Sequence, residues 1–203
     1  MIVAQNPPST RQQSILHAAL DTFSTNGYEA TSIEDICQSA PASVGSFYHH
    51  FGSKEGVAAA LYEEAVDRYQ TGLLTTLAKT REPRSMVAAL VRIHLVWARD
   101  NQAWARFMLQ MGTAQATAEV KPSVTAKNRE LMDTVEAWAR PHIERDLLIR
   151  LSPAALIAQI LGPSYFLTKA WLAGATDITE PMIKQFAESA WQAVRADGGP
   201  DAS

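Results

Sequence analysis

The sequence predicts an all-α protein of about nine helices. Apolar residues recur at three- and four-residue spacing along nearly the whole chain, Ser, Thr, Gly and Pro stand where helix ends need them, and no credible strand lies between these marks. The first helix is expected over about residues 11–26. Thr10 and Gln13 have capping-box spacing, Ile15, Ala19 and Phe23 share a face, and Gly27 can supply a left-handed stop. The second opens on the cap pair Ser32 and Asp35, turns Ile33, Ile36, Cys37 and Ala40 to one side, and ends at Pro41, since proline disfavours helical geometry in the residue before it. A third runs from after Ser43 to about His50, where Gly52-Ser53 breaks and recaps the chain. The fourth is long, with Val57, Leu61, Ala65, Tyr69, Leu73 and Leu77 on one stripe before a polar stretch that ends at Pro83.

Five segments follow. Residues 86–99 are strongly apolar, 102–111 carry Trp104, Phe107 and Met108, and 123–140 precede Pro141. Ser152-Pro153 reads as an N-cap with a first-turn proline, opening a helix to Gly174 with a kink expected at Gly162-Pro163. The last helix follows Thr179 with Pro181 in its first turn, and residues 197–203, DGGPDAS, have nothing to pack and are expected to be disordered.

Composition limits the function classes. The 203 residues, 47% hydrophobic and 19% charged, suit one ordinary globular domain plus a small one, and exclude fibrous and disordered classes. No apolar run reaches the length of about eighteen residues that a membrane helix needs, and the start lacks signal-peptide features, so a cytoplasmic protein without a membrane partner is expected. A single cysteine, Cys37, excludes an internal disulfide and a Cys-clustered zinc or iron–sulfur site. Neither a metal nor a cofactor is expected. The formal charge of −3 argues against a generic polyanion-coating protein.

Three short helices in the first part of the chain, the second and third joined by a tight turn, allow a helix-turn-helix. At about 100° per residue, Phe47 and Phe51 point one way on the third helix, while Gly45, Ser46 and His49 fall on the opposite arc with Tyr48 at its edge. That arc suits a groove: glycine admits a close approach, and Ser, Tyr and His bond phosphate oxygens or base edges. Ser43 as N-cap, and Lys54 at the next helix start, put partial or full positive charge where phosphates could sit. On the residues alone, Tyr48 could equally be part of a core and His49 and His50 a plain surface.

The stretch GYEATSI at 27–33, then Ile36, then SVGSFYHHFGSKE at 43–55, resembles the DNA-binding domain of the tetracycline-repressor (TetR) family of bacterial transcription regulators, over residues 11 to about 60. The resemblance implies a DNA-binding domain at 9–55 and an effector-binding and dimerisation domain at 56–196. By the same resemblance Val44, Gly45 and Ser46 meet bases or nearby backbone, Tyr48, His49 and Lys54 contact phosphates, and Ser32 takes another backbone-contact position. It further implies a homodimer on a near-palindromic double-stranded operator, commonly released by a small-molecule effector. Two residues depart from the family pattern. Pro41 stands where glycine is common and cannot take glycine's positive φ, and Val44 replaces a position often polar or basic, which suggests contact with a thymine methyl. Residues 1–55 hold Arg11 and Lys54 against Asp21, Glu29, Glu34, Asp35 and Glu55, so the whole excess of acidity lies in the part that resembles a DNA reader. A shallow salt dependence of DNA binding follows, because counterion release scales with the cations engaged.

In the larger part, Trp97, Trp104, Phe107, Met108, Met111, Trp138 and Tyr165 read either as ordinary core or as the lining of a pocket for an apolar or aromatic effector, the use that the resemblance favours. His94 is a polar contact for that pocket or a satisfied core histidine. Ala155, Ala158, Gly162, Phe166 and Ala170 form a stripe of mostly small residues, which with Phe186 and Ala190 would face a second copy or pack internally. Competing classes are an all-helical protein-interaction module and an enzyme. The adjacent His49 and His50 splay too far apart to share a metal, Cys37 lies on an apolar stripe, and Glu63, Glu64 and Asp67 read as a solvated face; with no HExxH, P-loop, GxGxxG or GxSxG, no catalytic residues are expected.

Overall fold

The structure, a computed structural model, describes residues 10–111 and 122–196. Among these lie α1 (Thr10–Asn26), α2 (Ile33–Ser39), α3 (Val44–Phe51), α4 (Lys54–Lys79), α5 (Pro83–Asp100), α6 (Gln102–Met111), α7 (Pro122–Ile143), α8 (Pro153–Leu172) and α9 (Glu180–Val194). The described residues contain no strand beyond an isolated bridge between Leu148 and Arg195, and none of their helices is long and apolar enough to cross a membrane. The side chain of Thr10 and the expected tail at 197–203 lie outside what is described.

The helix starts are set by local chemistry. Ser32, Ser43, Ser152 and Thr179 each accept a hydrogen bond from a backbone N–H three residues on, which satisfies one of the donors that every helix start leaves unpaired. Glu82 does the same for α5, accepting from the N–H groups of Arg84 and Ser85. One proline expectation needs correction: Pro141 lies inside α7, which continues to Ile143, whereas α8 runs through Pro163 to Leu172 as a single helix, as expected. Pro141 has no N–H, so the Ala137 carbonyl loses its donor from four residues on, a loss the helix tolerates close to its end, with only residues 142 and 143 left.

The chain divides into two compact units. One comprises the described residues up to Ala65 with those from Ala103, and the other residues 66–102 with those from Pro122. α6 belongs with the first helices because the Phe107 ring stacks on Phe23 of α1, centroids 5.9 Å apart and planes 15° apart. Ile15 and Phe23 of α1, Ile36 of α2, Phe47 of α3, Val57 and Leu61 of α4 and Phe107 are all fully buried.

In the other unit α5 packs against α8 and α9, which also pack on each other, and α7 lies against α8. Val87, Leu90, Val91, Leu95, Ile160 and Ile183 are among its buried residues. Gly72 marks a tight crossing, since a Cβ there would come within 2.9 Å of the Ile93 side chain.

Candidate nucleic-acid interface

Phe47 anchors α3 in the core, at 0% exposure. Its ring meets Phe51 at 5.8 Å and Tyr48 edge-on at 6.0 Å. With that face fixed, Ser43, Val44, Gly45, Tyr48 and His49 are exposed, Val44 at 39% and Tyr48 at 51%, and Ser46 is half-buried. The expected reading face is therefore solvent-facing as a set. At the start of α3 the Ser43 hydroxyl accepts from the Ser46 N–H at 3.1 Å and the Ser43 carbonyl from the Phe47 N–H. The N–H groups of Val44 and Gly45 belong to the first turn, where no intrahelical acceptor exists. A Cβ on Gly45 would meet nothing nearer than Ser43 Oγ at 4.0 Å, so packing within the chain does not require glycine there. Gly56 is the opposite case, because its Cβ would collide with the Phe51 carbonyl.

The turn before α3 contains Pro41 at a φ of +27°, contrary to the expectation that proline would keep out of the left-handed region. The ring prefers a φ near −65°, so the backbone is strained at this turn between α2 and α3.

Two expected phosphate contacts are committed elsewhere. The Ser32 hydroxyl accepts from the Asp35 N–H at 3.1 Å and donates to the Asp35 carboxylate at 2.7 Å, while that carboxylate also accepts from the Ser32 N–H. These bonds, the backbone one foremost, hold the Asp35 carboxyl below its usual pKa and leave a negative charge beside Ser32. Lys54 sends its ammonium to the carbonyls of Tyr28 and Thr31, both at 3.0 Å, and to that of Glu29 at 3.5 Å, with the Tyr28 ring 4.6 Å below it. It is a staple between the start of α4 and the α1–α2 loop. Thr31 secures the same loop by donating to the Gly27 carbonyl at 2.8 Å. Sequence reasoning missed this role of Lys54 because its acceptors are backbone atoms, which leave no side-chain signal.

The expected effector residues are divided between the two units. Trp104, Phe107 and Met111 are buried and, with Met108, belong to the unit that carries α1–α3, whereas Trp97, Trp138 and Tyr165 belong to the other. Tyr165 is 43% exposed and stands edge-on to Phe166, so it is a surface residue. Within the second unit Trp97 packs edge-on against Tyr69 at 5.1 Å, and the Tyr69 hydroxyl bonds His94 Nδ1 at 2.7 Å. His94 Nε2 lies 3.3 Å from the Thr168 hydroxyl. Burial pulls the His94 pKa down to about 4 and pushes the Tyr69 phenol up, so both are neutral near pH 7. His94 is thus a hydrogen-bonded core histidine. One turn before Thr168, the Ser164 hydroxyl is buried with no hydrogen-bond partner.

Of the stripe on α8, Ala158 is exposed, Ala155, Gly162 and Ala170 are half-buried, and Phe166 is 70% exposed. Phe186 is half-buried on α9. Ala190 is 3% exposed and part of the unit's own core, so it is withdrawn from that face.

Residues 15–61 match the family of bacterial regulatory proteins named for tetR. The chain carries the N-terminal domain of the tetR family. The HTH-type transcriptional regulator UidR of Escherichia coli (strain K12) is 40% identical over 77 residues, which cover 38% of this chain and only about a third, 34%, of UidR. RutR of the same organism, also an HTH-type transcriptional regulator, is 28% identical over 155 residues, covering 75% of this chain and 71% of RutR. The crystal structure of a TetR family transcription regulator from Marinobacter aquaeolei VT8 superposes with a TM-score of 0.77 over 92% of this chain and 96% of that one, at 18% identity, a likeness of fold. These tetR-family relatives are regulators by name, and none is named as an enzyme.

Proposed function

We propose that the chain is a dimeric, ligand-responsive transcriptional regulator that represses from a near-palindromic operator and is released by a small, largely apolar effector. The observation that carries the DNA role is the outward face of α3: an anchored Phe47 behind it, and Val44, Gly45, Tyr48 and His49 in solvent, with a glycine that the fold itself does not need. Ser46 and the first-turn N–H groups add neutral donors. For the effector, Trp97 supplies an apolar wall beside the bonded set Tyr69, His94 and Thr168, and the unbonded Ser164 hydroxyl offers a polar anchor. The exposed Phe166 and Tyr165, with Ala158 and Gly162, form the face for a second copy, which would present two α3 helices to one operator.

The experiment is a gel shift with DNA from upstream of the chain's own gene. Native protein is expected to shift it at low salt, and a Tyr48→Ala, His49→Ala double variant is expected to lose the shift while keeping its helical circular dichroism. No shift by the native protein at low salt would favour an interaction module without DNA binding.

A further inference from the structure

Polar atoms without partners recur in one place outside the regions described so far. The last turn of α4, the α4–α5 turn and the C-terminal part of α7 border an open cleft of about 600 Å3, a size ordinary for small-molecule sites. Trp138 Nε1 and His142 Nδ1 are both buried and lack a hydrogen-bond partner, and their residues line this cleft with rings 5.3 Å apart. An unpaired buried polar group is costly, so two of them side by side point to a partner that comes from outside.

The charges around the pair decide what the partner is. The guanidinium-bearing residues Arg81 and Arg145 both line the cleft and are exposed, no carboxylate-bearing residue lines it, and neither arginine has an ion pair among the described residues. The remaining wall is apolar, chiefly Leu77, Ala137, Pro141 and the indole itself. We propose that this cleft is a ligand site for a small organic carboxylate with an apolar body. The carboxylate takes the Trp138 N–H and the two guanidinium forks, and the hydrocarbon covers the apolar wall. His142 completes the set. Its burial and the nearby Arg145 charge hold its pKa below the usual histidine value, against the opposing effects of Glu82 and of the Arg81 backbone. A carboxylate brought beside Nδ1 favours the protonated ring and turns that atom into a further donor.

The proposal does not rest on DNA binding, and its test does not involve DNA. The full chain, labelled with nitrogen-15, is titrated with benzoate, benzamide and inorganic phosphate while the indole N–H signals are followed, that of Trp138 being assigned by its loss in Trp138→Phe. Benzoate is expected to move the Trp138 signal saturably, with benzamide and phosphate weaker by about tenfold or more and an Arg81→Gln, Arg145→Gln double variant weakened by about the same factor. Either single variant serves if the double one fails to fold. No saturable movement of the Trp138 signal overturns the proposal. So does benzamide or phosphate binding as well as benzoate, or undiminished binding by the arginine variants.

Discussion

Two helices leave conspicuous residues in solvent, and they do so with opposite chemistry. On α3 the outward set is small or polar, with Gly45, Tyr48 and His49 around a single exposed valine. On α8 it is Phe166 and Tyr165, large and apolar, beside Ala158. A face of the first kind suits a polar surface approached closely, and one of the second suits burial against protein. The difference teaches that exposure alone assigns neither role. On α3 the informative residue is the glycine that nothing in the fold requires, and on α8 it is the phenylalanine that the core leaves outside.

The largest effect is expected from spoiling the apolar face. Phe166→Glu should convert the protein to a monomer in sedimentation at micromolar concentration and weaken operator binding by about a hundredfold or more, because two linked reading heads gain that much over one. A variant that stays dimeric would move the interface elsewhere and break the comparison.

The next effect concerns the interior behind α8. His94 is held near pH 4 in the folded chain against about 6.5 when unfolded, so the unfolded state takes up a proton first as pH falls. Stability should be fully present above about pH 6.5 and decline toward pH 4, by at most about 3 kcal/mol from this residue, and His94→Gln should flatten that decline in thermal melts at successive pH values. An unchanged slope in the variant would show that other groups carry it.

Lys54 comes third. If its ammonium is the staple between α4 and the α1–α2 loop, Lys54→Met costs about 1.5–3 kcal/mol of stability in denaturant melts. A phosphate contact alone would leave the melt unchanged and weaken only DNA binding. The smallest change is on α3 itself. Gly45→Ala should leave the fold as stable or firmer by up to about 1 kcal/mol, since alanine favours helix, yet weaken operator binding, since its methyl projects into the space that a groove would fill. Equal operator affinity would remove the glycine from the reading face.

Much of the fold was legible because helix ends are written locally. Ser32 with Asp35, Ser43, Ser152 before Pro153 and Thr179 before Pro181 all name their own boundaries within four residues. The outward face of α3 was legible for the same reason, since Phe47 and Phe51 define its back. What stayed hidden depended on contacts distant in sequence. Nothing around Phe107 announces that it will stack on Phe23, and Lys54 bonds to carbonyls that every residue has. On α8 the buried Ser164 and the exposed Tyr165 are adjacent, a turn of about 100° that sequence periodicity resolves poorly on a helix apolar nearly all round.

The central claim is that α3 reads DNA through neutral donors, helix ends and a paired partner, with little help from bulk charge. Its most direct test is fluorescence anisotropy of the operator found upstream of the chain's own gene, with affinity measured across a range of salt concentrations. The account predicts specific binding at low salt with a shallow log–log slope, as befits a domain in which Lys54, just past α3, is already bonded to carbonyls. A slope as steep as about −10, or no preference for that operator over unrelated DNA, would contradict it.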